Sequence, residues 1–273
     1  MKSPNVLRGA LSGLTIFVAP LFAGVTISTS HTTTAKPDEK AINKTYVDSD
    51  RLRMDAQSMG ANTIIIFRQD KGLFWVITQK DNSYMEITKQ DLQAMKARMD
   101  EAKTKMDEQM KNVPPAQREM MEKMLKSRMP MQQAGTIKTT YKKVASGEKV
   151  NQWVCAKYEG YREDNKVKDV WTTDWKSLGL TAETFKVMKD IGEFFEGFAK
   201  DMAADFDKIG SAEWEKEQGY TGIPVKTLSY TDGQLRSTTE MTEVKPGDLA
   251  ASLFDLPAGL TKKEMPFKQM QTR

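Results

Sequence analysis

Methionine stands out in this chain by number and by spacing. There are 18 in all, and Met121-x-x-Met124 and Met129-x-Met131 set thioethers at separations usable by Cu(I), which prefers soft sulfur ligands. No His or Cys stands beside them, so the copper signal rests on thioethers alone. Exposed methionine also reacts reversibly with oxidants to give the sulfoxide. A further use needs no reaction: flexible, polarizable side chains make apolar surfaces that fit partners of varied shape. Ordinary core packing would employ the same residues.

Other reactive groups are sparse. The single histidine, His31, is expected in a leader or in the polar segment behind it, which leaves the folded region without a Ser-His-Asp set, a Cys-His pair or a His-ligated zinc. Cys155, also single, has no partner for an intramolecular disulfide; in Trp153-Val154-Cys155-Ala156-Lys157-Tyr158 it reads as a small buried hydrophobe. Asp48, Asp50 and Asp55 form the nearest approach to a carboxylate cluster, and Arg51 and Arg53 among them predict ion pairs rather than a metal site. The expected class is therefore non-enzymatic, with no cofactor.

Residues 1 to about 35 read as an export signal followed by a polar segment. Lys2 and Arg8 precede an apolar stretch from Ala10 to Ile27, and small residues offer cleavage after Ala23 or after Ala35. A retained membrane anchor is the rival reading, weakened by Pro20 and by the scattered Ser, Thr and Gly residues. The expected location is the periplasm or the exterior of the cell. The formal charge is +4, or +2 without Lys2 and Arg8, spread over interleaved Lys, Asp and Glu; this argues against nucleic acid as a partner.

The elements that would position these groups follow from periodicity. Strands are predicted at 43–47, 51–56, 62–68, 73–79 and 83–87. In the third, Ile64 and Ile66 oppose Thr63, Ile65 and Phe67; in the fourth, Phe74 and Val76 oppose Trp75 and Ile77. Strands apolar on both faces need cover on both. A helix opens at Thr88, with Asp91 three residues on as a capping partner, and runs to about Lys111; Pro114-Pro115 separates it from a second helix reaching Met129. Leu92, Met95, Met99, Ala102, Met106 and Met110 fall within roughly 80° on the first helix at 100° per residue.

Strands resume at 136–144, 151–161 and 166–173, with turns at Ser146-Gly147 and Asp164-Asn165. A third helix runs from Thr181 to about Phe206. A last hairpin, 223–230 and 234–244, turns at Thr231-Asp232-Gly233 and reads as a half-wet edge; a short helix to Phe254 and a polar tail over 263–273 follow. The expected fold is α+β: one domain over residues 36–262, with a curved antiparallel sheet, a half-open barrel, and helices on or inside its concave face.

The chain resembles an exported bacterial family known as domain of unknown function 4412. The resemblance rests on Asp50 to Asp55, Thr63 to Phe67, Trp75-Val76-Ile77, Tyr84-Met85-Glu86, the stretch from Pro114 to Met124, Val150 to Tyr158, and Trp171 to Asp174. That family is similar in layout to lipoprotein carriers of the LolA and LolB type, which implies a half-open barrel holding acyl chains under helical lids and implies no catalytic motif. The arginine that anchors the closed lid in those carriers is not placed in this sequence.

Together these readings predict a soluble exported binding protein for a lipid-like or other apolar ligand, a carrier in its fullest form. Ile64, Ile66, Phe74, Trp75, Val76 and Ile77 are the expected wall, facing Met95, Met99, Met106, Met110, Met120, Met121 and Met124 on a lid. The expected partners are an apolar small molecule or lipid, an envelope protein, and a membrane surface met transiently. The alternative is a methionine-rich periplasmic copper or oxidant buffer.

Overall fold

The computed structural model describes residues 24–58, 61–111, 139–195, 215–216 and 218–265. Among these, twelve strands form one open sheet: β1 (Val25–Thr33), β2 (Lys36–Val47), β3 (Arg51–Ser58), β4 (Ala61–Arg68), β5 (Leu73–Thr78), β6 (Ser83–Thr88), β7 (Thr140–Val150), β8 (Trp153–Arg162), β9 (Asn165–Thr173), β10 (Ile223–Thr231), β11 (Gln234–Pro246) and β12 (Thr261–Lys262). Their spatial order is β12-β6-β5-β4-β3-β2-β1-β11-β10-β9-β8-β7. All neighbours are antiparallel except β12, which runs parallel to β6. The architecture is α+β with the sheet dominant.

The α-helices described from end to end are α1 (Lys89–Lys111) and α2 (Ala182–Phe195). Thr88 and Asp91 cap α1 reciprocally: the Thr88 backbone N–H donates to Asp91 Oδ2 at 3.0 Å, and the Asp91 N–H donates to Thr88 Oγ1 at 3.2 Å. Such a cap is worth about 1 kcal/mol. The helix after Pro114-Pro115 and the stretch of the third helix from 196 to Phe206 lie outside the described residues.

Three boundaries differ from expectation. The apolar stretch assigned wholly to the leader ends inside the sheet, where β1 pairs with β2 and β11, so the folded region begins at Val25 rather than at residue 36. His31 accordingly sits within the sheet, its Nδ1 3.0 Å from Thr239 Oγ1. An apolar run beside a basic N-terminus carries no mark of where a leader stops and a Val/Ile/Thr-rich strand starts.

Ser146-Gly147 is not a turn. The β7–β8 register shifts between Ser146 and Glu148, and Gly147 at φ 84° forms a bulge through which β7 continues to Val150; the chain reverses at Asn151, itself at φ 51°. Gly-containing bulges and turns share a residue signature. The hairpin of β10 and β11 does turn as expected, with Asp232 and Gly233 at φ 52° and 73°. It is interior rather than an edge, because β1 takes the outer side of β11 and β9 that of β10.

The tail is likewise part of the fold as far as Met265, which is 8% exposed. Lys263 donates its backbone N–H to Tyr84 O at 2.8 Å.

Candidate functional site

Alternation decides which side chains share a face. Register pairs Ile64 with Ile77 and Ile66 with Trp75, while Ile65 pairs with Val76 and Phe67 with Phe74. The predicted wall is thereby split, because successive side chains of a strand point to opposite faces. Phe74 and Val76 lie on the face that carries the helices; Ile64, Ile66, Trp75 and Ile77 lie on the other and cannot face the methionines of α1.

On the helix face, α2 lays an aromatic set into the sheet. Phe194 stands 4.9 Å from Phe74 and 5.9 Å from Phe67, and Phe195 stands 5.2 Å from Phe74, between ring centroids. Val187, Ile191 and Leu92 are buried in the same cluster, and Met95, Ile65, Ile87 and Phe195 pack against it half-buried. The row Leu52, Phe67, Phe74 and Ile87, in register across β3 to β6, belongs to this core.

The next row along those strands is Met54, Ile65, Val76 and Met85. It is apolar throughout, yet none of the four is buried, and Met54 is 37% exposed. The floor thus continues beyond the buried aromatic row as a half-open apolar strip. Its two methionines, one on each flanking strand, escaped the sequence reading; cross-strand register is the signal that would have found them.

Along α1 the expected stripe leaves the core after one turn. Leu92 is 5% exposed, Met95 is half-buried against the cluster, Met99 is 58% exposed and Met106 is half-buried. Met99 therefore points largely into solvent rather than into a covered space. The side chain of Met110, and Met120, Met121 and Met124 entirely, lie outside the described residues.

The other face is covered by a strap formed from the end of the chain. A short 3-10 helix, Ala251–Phe254, drives the fully buried Phe254 against Ile64, Ile66, Leu73, Trp75 and Ile77. Three arginines tie it down. Arg53 Nη1 donates to Leu253 O at 2.9 Å, Arg68 Nη1 reaches Phe254 O at 3.2 Å and Asp255 at 2.8 Å, and Arg51 lies over the Phe254 ring at 5.4 Å. The acidic residues expected to pair do so, with Arg51 3.3 Å from Asp48 and 3.0 Å from Asp50, and Arg53 2.6 Å from Asp55.

The reactive groups are engaged structurally. Burial pushes the Cys155 thiol up, away from the thiolate. Burial opposes charge on Lys166, but its bonds to Asp169 and Glu159 outweigh that and raise its pKa. Tyr230 is pushed up to about 12, first by burial and then by its hydrogen bond to Asp169. Among the described residues no group of three or more His, Cys, Asp or Glu is placed to hold a metal ion, and no helix is long and apolar enough to cross a membrane.

The sequence matches the family described as Domain of unknown function (DUF4412) over residues 90–260, and the chain belongs to that family. The stretches of resemblance at 114–124, 150–158 and 171–174 fall inside the match; those at 50–55, 63–67, 75–77 and 84–86 precede it. No curated protein matches the sequence. Similar solved structures include an uncharacterized conserved protein from Thermus thermophilus, at 7% identity and TM-score 0.43, covering 90% of this chain and 92% of that one. The MucA/MucB complex of Pseudomonas aeruginosa aligns at 9% identity and TM-score 0.38, over 87% of this chain and 57% of that one. A LolA superfamily protein from Nitrosomonas europaea aligns at 7% identity and TM-score 0.24, over 85% and 89%. Alignments this loose identify neither a shared site nor a shared ligand.

Proposed function

We propose that this member of the DUF4412 family is an exported, non-enzymatic protein that binds a lipid-like or other apolar ligand on the helix face of its sheet. The carrying observation is the half-open row Met54, Ile65, Val76 and Met85, continuous with the row Leu52, Phe67, Phe74 and Ile87 of the core behind it. An apolar strip that is only partly buried, beside a packed core, is where an acyl chain gains burial, at about 25 cal/mol per Å² before the costs of association. Two flexible methionines on that strip suit ligands of varied shape.

A curl of the sheet around α2, in the manner of a half-open barrel, is supported by reach. Phe185 on α2 meets Trp175, just past β9, at 5.8 Å, while Phe194 meets Phe74 on β5 at 4.9 Å. In a flat sheet β5 and β9 would stand roughly 33 Å apart, whereas a helix of 14 residues is about 21 Å long.

Native mass spectrometry of the protein purified from its own compartment tests the reading. A bound acyl species, lost in Val76→Asp with the fold retained, is the expected result; a protein without acyl ligand, and unchanged in ligand content by that substitution, overturns it. A second reading, an oxidant or Cu(I) buffer, draws on the 58% exposure of Met99. Cu(I) retained at fixed stoichiometry in the same spectra would favour it.

A further inference from the structure

On the strap face, away from the apolar strip, β2 and β3 part company. Their ladder ends at Lys44 and Asp55; past that point side chains bridge the gap, the Ile42 N–H donating to Gln57 Oε1 at 3.1 Å and the Gln57 N–H to Asn43 Oδ1 at 2.8 Å. The fork holds a depression of about 310 Å³. Ile42, Tyr46 and Ile64 give it apolar walls, and Lys44, Gln57, Asn62 and Gln79 supply polar groups.

The charge inventory of this depression is lopsided. Both oxygens of Asp55 are taken by Arg53, at 2.6 and 3.2 Å, and Arg53 spends its remaining reach on Leu253 O. The Gln57 carbonyl is taken by Ile42, so what Gln57 offers the depression is its NH2 group. The Lys44 ammonium has no ion-pair or hydrogen-bond partner among the described residues. The one carboxylate is thus matched by Arg53 while one full positive charge, Lys44, stands unmatched beside an aromatic ring and two isoleucines, with the amides of Asn62 and Gln79 offering donors and acceptors alike.

From that imbalance we infer that the β2–β3 fork is a binding site for a small organic carboxylate with an apolar body. The carboxylate accepts from Lys44 Nζ and the Gln57 NH2, and the body lies against Tyr46, Ile42 and Ile64. A phosphate or sulfate alone would leave the apolar walls unfilled, and a neutral apolar molecule would leave Lys44 unmatched.

The full chain, titrated with benzoate and with its neutral analogue benzamide and followed by backbone amide shifts in NMR, tests this. Benzoate should shift the amides of Lys44, Gln57 and Ile64 and bind at least about tenfold more tightly than benzamide. Lys44→Gln should abolish that preference; since the Lys44 side chain is exposed and has no partner among the described residues, the variant keeps its fold, which its unchanged spectrum elsewhere verifies. Equal binding of the two probes, shifts scattered away from the fork, or a preference that survives Lys44→Gln overturns the inference. Because the apolar strip lies on the opposite face, loss of acyl binding there and loss of benzoate binding here are read separately.

Discussion

Arg68 and Asp255 stand 187 residues apart in sequence and 2.8 Å apart in space, and their contact fastens the end of the chain to the middle of the sheet. The guanidinium also grips Asp70 with Nε at 2.8 Å and Nη2 at 2.7 Å, so one side chain is shared between its own strand end and the strap. The Arg68 guanidinium in turn holds the Asp70 carboxyl below the usual carboxylate range.

Arg68→Ala should destabilise the protein by about 1–3 kcal/mol, below the 3–5 typical of a broken fully buried pair because both aspartates are partly in water. Urea unfolding measures the loss. Limited proteolysis should show new cutting around residues 249–260 in the variant, since two of the strap's anchors go with the guanidinium.

Phe254→Ala removes the fully buried ring of the strap, and a loss of about 3–5 kcal/mol is expected. The Trp75 emission should move to the red as water reaches its ring. An unchanged midpoint would mean that the strap only lies on the surface.

Acid should loosen the strap first. A hydrogen bond from Lys262, and then one from Trp75, hold the Glu86 carboxyl below its ordinary range. A carboxyl depressed in the folded state contributes stability that is present above its unfolded pKa, about 4.3, and lost as pH falls through the lower folded value. Protection of the β6 and β12 amides from hydrogen exchange should therefore fall below about pH 4, and the pH dependence should flatten in Glu86→Gln.

On the proposed reading that the chain is exported, leader removal has one outcome compatible with this sheet. Cleavage after Ala23 leaves β1 whole, whereas cleavage after Ala35 deletes the strand between β2 and β11. The intact mass of the protein isolated from its native host should then correspond to a chain starting at Gly24. A variant starting at Lys36 should fail to fold, as judged by loss of cooperative unfolding.

Along α1, the position that packs and the position that does not should separate cleanly. Leu92→Ala is expected to cost about 2–5 kcal/mol, while Met99→Ala should stay within about 0.5 kcal/mol. Comparing their unfolding midpoints checks both.

What the sequence displayed of this fold was its local grammar. The two-sided strands β4 and β5, the Thr88 and Asp91 cap and the Asp232-Gly233 turn are each written in a handful of adjacent residues. What it hid was pairing at a distance: Phe254 under the strap answers to Ile66 and Trp75, and no spacing within 249–260 announces that partner. The candidate wall erred for a related reason, since Phe74 to Ile77 read as one apolar block until register divides them between two faces. Met54 and Met85 went unnoticed because only Ile65 and Val76 between them make the four residues a row.

The seam between β1 and β11 joins Thr29 to Met241. Strands β2 to β6 are assembled from near neighbours, but both sides of this seam are present only once synthesis has passed β11. Closing so distant a contact is slow. The unfinished sheet offers a bare β1 flank in the meantime, a row of unpaired backbone groups to which a stray strand could add.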